Sequence, residues 1–314
     1  MSDSDSAPDD DSPYPVEVFP EGDLDLRAGS DDCYKCSTCD TNCPVAEVDD
    51  DFPGPKFQGP EQWRLTRKED RDIDPSIMDC SNCMRCDDAC PTGVPLSQMH
   101  NEARAEYVSE QLSKFSRRYW RNRLLANYRI VARVASTVPR LSNFVLGNRV
   151  TRWVNERVLG VTGEREFPEF AHETFREWWR ARGGAAASRE RAREARADGG
   201  ESERGADGKS RADDGDETDR KGVAYFHGCY ANYNTPEVAR ALVRVYESFG
   251  YEVVVPEQGC SGTPMFANGM LADARRDAET NVESLADVLD AGYDIVCSCT
   301  SCSMALRQEY SELF

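Results

Sequence analysis

At 314 residues the chain is long enough for two modest domains, each burying a core of its own. Its 38 basic side chains stand against 57 acidic ones, a formal net charge of −19, which disfavours nucleic acid as a partner because phosphate repels such a surface. No apolar run is long enough to span a membrane, and the opening MSDSDSAPDDDSPYP lacks the basic start and apolar centre of a secretory signal, so the sequence reads as cytoplasmic. Thirteen cysteines, an odd count, in a reducing compartment favour metal binding over a disulfide framework.

In chain order, residues 1–30 are Asp, Ser and Pro and read as a disordered acidic tail. Residues 31–110 hold two cysteine-rich stretches joined by the spacer DFPGPKFQGPEQWRL, whose Pro and Gly content predicts ordered loop rather than helix. Residues 111–182 read as a basic helical region. Residues 183–222 have almost no large apolar side chain and are expected to be a disordered linker. From residue 223 to 314 the pattern becomes strand (VAYF), helix, strand (YEVVV), helix, strand (YDIVC). Thr235 caps the first of these helices, Pro236 opens it and Gly250 lies past its end. Alternation of this kind predicts a small parallel α/β sheet. The fold class is therefore α+β multidomain, an α-helical ferredoxin-like domain followed by a partial α/β module.

The two stretches share one spacing, C-x2-C-x2-C-x3-C-P. It occurs at Cys33, Cys36, Cys39 and Cys43, and again at Cys80, Cys83, Cys86 and Cys90. Thiolates at every third residue wrap one corner of a cubane and supply three soft ligands. In two-cluster ferredoxins the fourth cysteine of each comb serves the other cluster. One 4Fe–4S cluster is thereby expected on Cys33, Cys36, Cys39 and Cys90, and a second on Cys80, Cys83, Cys86 and Cys43. Zinc would accept four thiolates, but its sites come as two separated pairs rather than a triplet and one.

Beyond the combs, PGPKFQGPEQWRL, TFREWWR (174–180), FHGCYANYNTPE (226–237) and GTPMFANG (262–269) resemble the family of iron–sulfur subunits of anaerobic glycerol-3-phosphate dehydrogenase. The likeness runs from about Asp32 to the last residue, apart from the linker. It implies a helical ferredoxin domain, then cysteine-rich modules related to those of heterodisulfide reductase. It also implies an electron-transfer subunit of an oxidoreductase complex with no substrate-oxidising site of its own. Electrons would come from flavin-containing dehydrogenase subunits and leave to menaquinone, with the protein peripheral on the inner face of the cell membrane. The family's second module is expected to be absent here. The abundance of Asp and Glu with few Lys is similar to the proteins of salt-loving archaea. Alternatives within the resemblance are a heterodisulfide-reductase-like subunit and the iron–sulfur subunit of a glycolate or lactate oxidase; an adaptor merely braced by its clusters stands outside it.

The family's module has Cys, then Cys-Cys-Gly, then Cys-x-x-Cys. Cys229, Cys260, Cys299 and Cys302 match, and the resemblance makes them ligands of a possible third cluster. Ser261 stands where the family has a second adjacent cysteine, and Cys297 is an extra thiol nearby. His227 beside Cys229 is expected to pack rather than bind metal, His100 has no evident partner, and Trp178 and Trp179 read as a core or interface anchor. No phosphate-cradling loop, nucleotide fingerprint or nucleophile–base pair stands out.

Between Gln111 and Asn155 there is no Asp or Glu, yet ten Arg and Lys. Leu124, Tyr128, Val131, Ala135 and Val138 recur at helical spacing, with Arg118, Arg129 and Arg133 opposite and Pro139 closing the segment. A basic amphipathic helix reads as a membrane-surface element or as a seat for an acidic partner.

Overall fold

Each cysteine comb kinks before it coils. In the computed structural model, which describes residues 30–69, 72–164, 166–203 and 222–314, the first comb enters α1 (Thr38–Thr41). The acidic tail up to residue 29 lies outside the described residues. The spacer is corrected from loop to helix. A π-turn, Phe57–Glu61, runs into α2 (Gln62–Glu69), with Pro60 inside the π-turn. The wider turn accommodates a residue that lacks an N–H. Gly59 also lets this segment lie against Leu96 and His100, where an added Cβ would stand 3.2 Å and 3.4 Å from their side chains. The second comb enters α3 (Arg85–Ala89), and α4 (Leu96–Glu106) buries Leu96 and Met99 against both combs, His100 against the second, and Ala103 against Ile73 and Ile77.

Four helices follow: α5 (Arg117–Ala126), α6 (Tyr128–Ala135), α7 (Pro139–Gly147) and α8 (Arg149–Leu159). The single amphipathic helix expected here is corrected. The chain breaks at Asn127, and Pro139 begins a helix instead of closing one. The expected arginine face is met only in part, with Arg133 exposed and others engaged by the protein. Arg118 pairs with Asp79 at 3.0 Å, Arg123 with Asp273 at 3.2 Å, and Arg129 donates to Gln258 O at 3.2 Å. These three side chains thus serve the protein's own acids and carbonyls, whereas Arg133, Arg140 and Arg149 are exposed. On α6 it is Ala132 that is fully buried, whereas Ile130 and Val134 are 62% and 65% exposed. Trp120, Leu141, Phe144, Val150 and Trp153 are exposed as well, an apolar surface of a kind that marks interaction sites.

α9 (Phe175–Ala181) starts with a capping box between Thr174 and Glu177. α10 (Gly184–Glu203) then occupies the first half of the expected linker, which is a correction; residues 204–221 lie outside the described ones. The linker reading failed because α10 packs through small residues. Ser188 and Ala192 are fully buried, and Ser188 Oγ accepts the Val253 N–H at 3.0 Å. Arg189 grips the buried Glu252 carboxylate with two hydrogen bonds, at 3.0 Å and 2.6 Å.

The sheet comprises β1 (Gly222–Phe226), β2 (Glu252–Val254) and β3 (Asp294–Cys297), parallel in the order β2-β1-β3. Between them come α11 (Gly228–Tyr233), α12 (Pro236–Ser248), α13 (Thr263–Phe266) and α14 (Leu271–Asp290), and α15 (Thr300–Met304) follows β3. β2 is an edge strand, and α10 covers it, as exposed edges require. Val223 and Tyr225 of β1 face Phe175, Trp179 and Val243 on one side, and Phe226 faces Leu285 on the other. The molecule is mostly helical with a small parallel sheet, as its strand–helix alternation predicts.

Candidate metal centres

The structure gathers the eight comb thiols around two hollows. Cys33, Cys36, Cys39 and Cys90 line one; Cys43, Cys80, Cys83 and Cys86 line the other. Among the described residues, the non-glycine residues with positive φ are Lys35, Ser37, Asn82 and Met84. They occupy matching places on either side of Cys36 and Cys83. Each costs of order 1 kcal/mol, and the kinks wrap the backbone around its hollow. Alternation of this type turns successive N–H groups toward an anion. The residue after each third cysteine is an aspartate that anchors the comb to a helix start: Asp40 accepts from Lys56 N at 2.9 Å, and Asp87 from Ser97 N at 2.8 Å and from Ser97 Oγ. This repeated Cys-Asp was legible in the sequence as part of the repeat, but its anchoring role was not.

Burial, and then the neighbouring Asp40, pushes the Cys39 thiol up to about 12; burial and Asp87 raise Cys86 in the same way. Such thiols ionise when a cation binds, so a cationic iron centre suits them. Cys80 behaves differently. Burial raises it, but His100 (Nδ1 at 3.7 Å) and Arg104 outweigh that and bring it to about 7. His100 has partners after all, with Nε2 bonded to Pro55 O at 2.9 Å. Arg104, which sequence reading passed over, is 1% exposed and joins the second comb to the C-terminal module. Its guanidinium donates to Cys80 O at 2.6 Å, to Ile77 O at 3.3 Å and to Ala267 O at 2.7 Å. Among the described residues no three His, Cys, Asp or Glu side chains close around a single-ion position. The thiols stand back around hollows, as soft donors to a multinuclear group do.

A third set of thiols meets at the carboxyl edge of the sheet. Cys229 on α11 neighbours Cys260 in the loop after β2, and Cys299 neighbours Cys302 on α15. Within each pair the neighbouring thiol sets the two apart, Cys260 and Cys299 being lowered and Cys229 and Cys302 raised. Gly228, at φ +65°, leaves room for Cys302: an added Cβ would lie 2.7 Å from its Sγ. Ser261 lowers the neighbouring Cys302 and has Thr263 Oγ1 at 3.3 Å. Cys297 belongs to the apolar layer with Phe226 and Leu285, raised to about 11 by burial and then by Cys299. Asn281, fully buried on α14, holds the Cys260 loop by accepting from Gly259 N at 2.6 Å and donating to Cys260 O at 2.7 Å. An Asn on the inward face of an amphipathic helix was the available signal for it. His227 packs edge-on to Phe175, and burial drives its ring down to about 3. Trp178 stacks beneath Arg182 at 4.7 Å, and Trp179 is buried in the core.

Beside this site, Glu309 is buried and accepts from Thr263 Oγ1 at 3.1 Å; burial raises it from 4.5 to about 7. The unfolded chain releases this proton first. Stability from the protonated carboxyl is therefore complete below about pH 4.5 and is lost as pH rises toward 7. Glu309→Gln is expected to remove that slope and, at pH 8, to stabilise the protein by up to about 3 kcal/mol. Unfolding midpoints of both proteins between pH 4 and 8 check it.

Residues 29–94 match the family model of a 4Fe-4S dicluster domain, and residues 223–307 match that of a cysteine-rich domain. The fold and sites thus define an iron–sulfur protein with a dicluster domain ahead of a cysteine-rich module. The chain is 31% identical over 285 residues, 90% of its length, to a subunit of anaerobic glycerol-3-phosphate dehydrogenase from Escherichia coli K12, and it spans 63% of that relative. Over shorter stretches it is 37% identical to a subunit of the fumarate reductase (CoM/CoB) of Methanothermobacter marburgensis (28% of this chain, 17% of the relative). It is also 37% identical to lactate utilization protein A of Shouchella clausii (29% and 37%). No solved structure matches the chain. No helix among the described residues is long and apolar enough to cross a membrane.

Proposed function

We propose that this chain is the iron–sulfur electron-transfer subunit of a membrane-associated anaerobic glycerol-3-phosphate dehydrogenase. It takes electrons from flavin-bearing subunits and delivers them to menaquinone at the inner face of the cell membrane. The observation that carries the reading is the crossed gathering of the thiols, with Cys90 joining the first comb's hollow and Cys43 the second's. On this reading each hollow holds one 4Fe–4S cluster, which supplies one-electron transfer. The protein's residues do the rest: the combs bind, the kinked backbone and Val94 N–H (3.3 Å from Cys90 Sγ) stabilise anionic sulfur, and the buried Cys39 and Cys86 close the inner side of each hollow to water. The exposed apolar side chains of α5 to α8 support peripheral membrane contact.

The test is iron and acid-labile sulfide per anaerobically purified chain, with low-temperature EPR. Cys90→Ser is expected to remove the signal of the first comb's cluster and Cys43→Ser that of the second, each lowering iron by about four atoms. Loss of the cluster on the variant's own comb would refute the crossing. A total of about eight irons leaves the combs alone filled; about twelve, falling by about four in Cys260→Ser, assigns a third cluster to Cys229, Cys260, Cys299 and Cys302. The paired thiols of that module favour a second reading, a heterodisulfide-reductase-like subunit. Turnover of a disulfide substrate with reduced protein would establish it.

A further inference from the structure

The apolar sides of α5 and α6 cover a chamber. A cavity of about 190 Å³ lies between α5, α6, α7, α8, Val161 and the stretch Phe167–Phe170, walled by Leu124, Leu125, Val131, Leu159 and Phe167. Leu124 and Leu125 are also 45% and 43% exposed, so the chamber reaches the surface between them. That surface is the apolar one carrying Trp120 on α5 and Trp153 on α8.

Three polar side chains interrupt the apolar wall: Arg121, Tyr128 and Asn155. Arg121 is half-buried and, among the described residues, has neither hydrogen bond nor ion pair. Burial and then Arg118 depress it, which a carbonyl acceptor would relieve. Tyr128 lines the chamber with its ring and donates its hydroxyl to Asn234 Oδ1 at 2.6 Å, just past the helix that carries Cys229. The next residue, Arg129, reaches Gln258 O in the Cys260 loop. α6 is therefore a partition one helix thick between the chamber and the C-terminal thiols.

We infer that this chamber seats the ring of a lipid-soluble quinone, with Arg121 and Asn155 toward its carbonyl oxygens and its tail lying out over the apolar surface. The inference rests on the acceptor reading above. Size and chemistry choose the occupant. An apolar cavity of roughly 150 Å³ holds benzene, so this one admits a ring system but no long tail. An acyl chain would leave Arg121 and Asn155 facing hydrocarbon unpaired, which is costly. Reduction consumes two electrons, drawn one at a time from the chain's reduced iron–sulfur centres, and two protons from water, converting quinone to quinol.

The test uses the full chain with its clusters and a photoactivatable azidonaphthoquinone bearing a short prenyl tail. After illumination, label is expected in peptides covering residues 117–131 and 155–170. Arg121→Gln and Val131→Phe are each expected to reduce it about tenfold, about 1.4 kcal/mol, with the EPR signals of the clusters unchanged. Label elsewhere, while added quinone still reoxidises the reduced clusters, overturns the site and leaves the acceptor reading standing. Clusters reoxidised by ferricyanide but by no quinone overturn the acceptor reading itself. Protection by quinone-free phospholipid vesicles equal to that by unlabelled quinone makes the chamber a lipid seat and also overturns the inference.

Discussion

Arg104→Met is expected to lower the stability of the protein by about 3–5 kcal/mol and to disturb the second comb before the first. Methionine keeps much of the volume, so the loss is electrostatic. The guanidinium ties Ile77 O, Cys80 O and Ala267 O together from a position 1% exposed. Removing it leaves carbonyl oxygens unpaired away from water, at about 1–3 kcal/mol each where no solvent replaces the donor. Arg104 also helps to hold the Cys80 thiol low, against the upward push of burial. Anaerobic denaturant unfolding gives the stability. Alkylation of the metal-free protein gives the local effect: Cys80 should react more slowly near neutral pH as its thiolate fraction falls, with Cys36 unaffected. Equal change at both combs would mean that Arg104 braces the whole domain and not this junction.

A comparable loss, about 3–5 kcal/mol, is expected for Phe175→Ala. Phe175 is fully buried, with ring centroids 5.4 Å from Tyr225, 5.3 Å from His227 and 6.2 Å from Trp179. Truncation opens a cavity where α9 meets β1, and the ring of His227 loses the surface that fixes it. His227 directly precedes Gly228 and Cys229, so the damage reaches the C-terminal thiols through the backbone. Phe175→Leu fills most of the space and should cost under about 1.5 kcal/mol. Thermal unfolding of both variants, with the alkylation rate of Cys229 in the metal-free protein, separates packing from position. If Phe175→Ala exposes Cys229 no faster than Phe175→Leu, then the thiol site does not depend on this core.

Legibility in the sequence followed the range of the interaction. α12 was readable almost to its ends because Pro236 and Gly250 act within one turn of their own backbone, although Thr235 makes no side-chain capping bond. β1, β2 and β3 were readable as short apolar runs. α10 was not, since its helix is held by Ser188 and Ala192 against an edge strand more than sixty residues away in sequence, and small residues send no hydrophobic signal. The α5–α6 segment misled for a related reason. Its periodicity was real, but only the placement of Asp79 and Asp273 shows that Arg118 and Arg123 pair within the protein.

By itself, the sequence determined the two thiol combs, since ligand spacing within a loop is a local property, and it determined the alternating pattern that becomes the sheet. Tertiary structure alone decided what lies beside them. It brought Asn281 under the Cys260 loop and Arg104 between comb and module, and it turned an apolar face outward above a chamber backed by Tyr128. These are contacts between remote segments, and packing rather than spacing sets the distance between them.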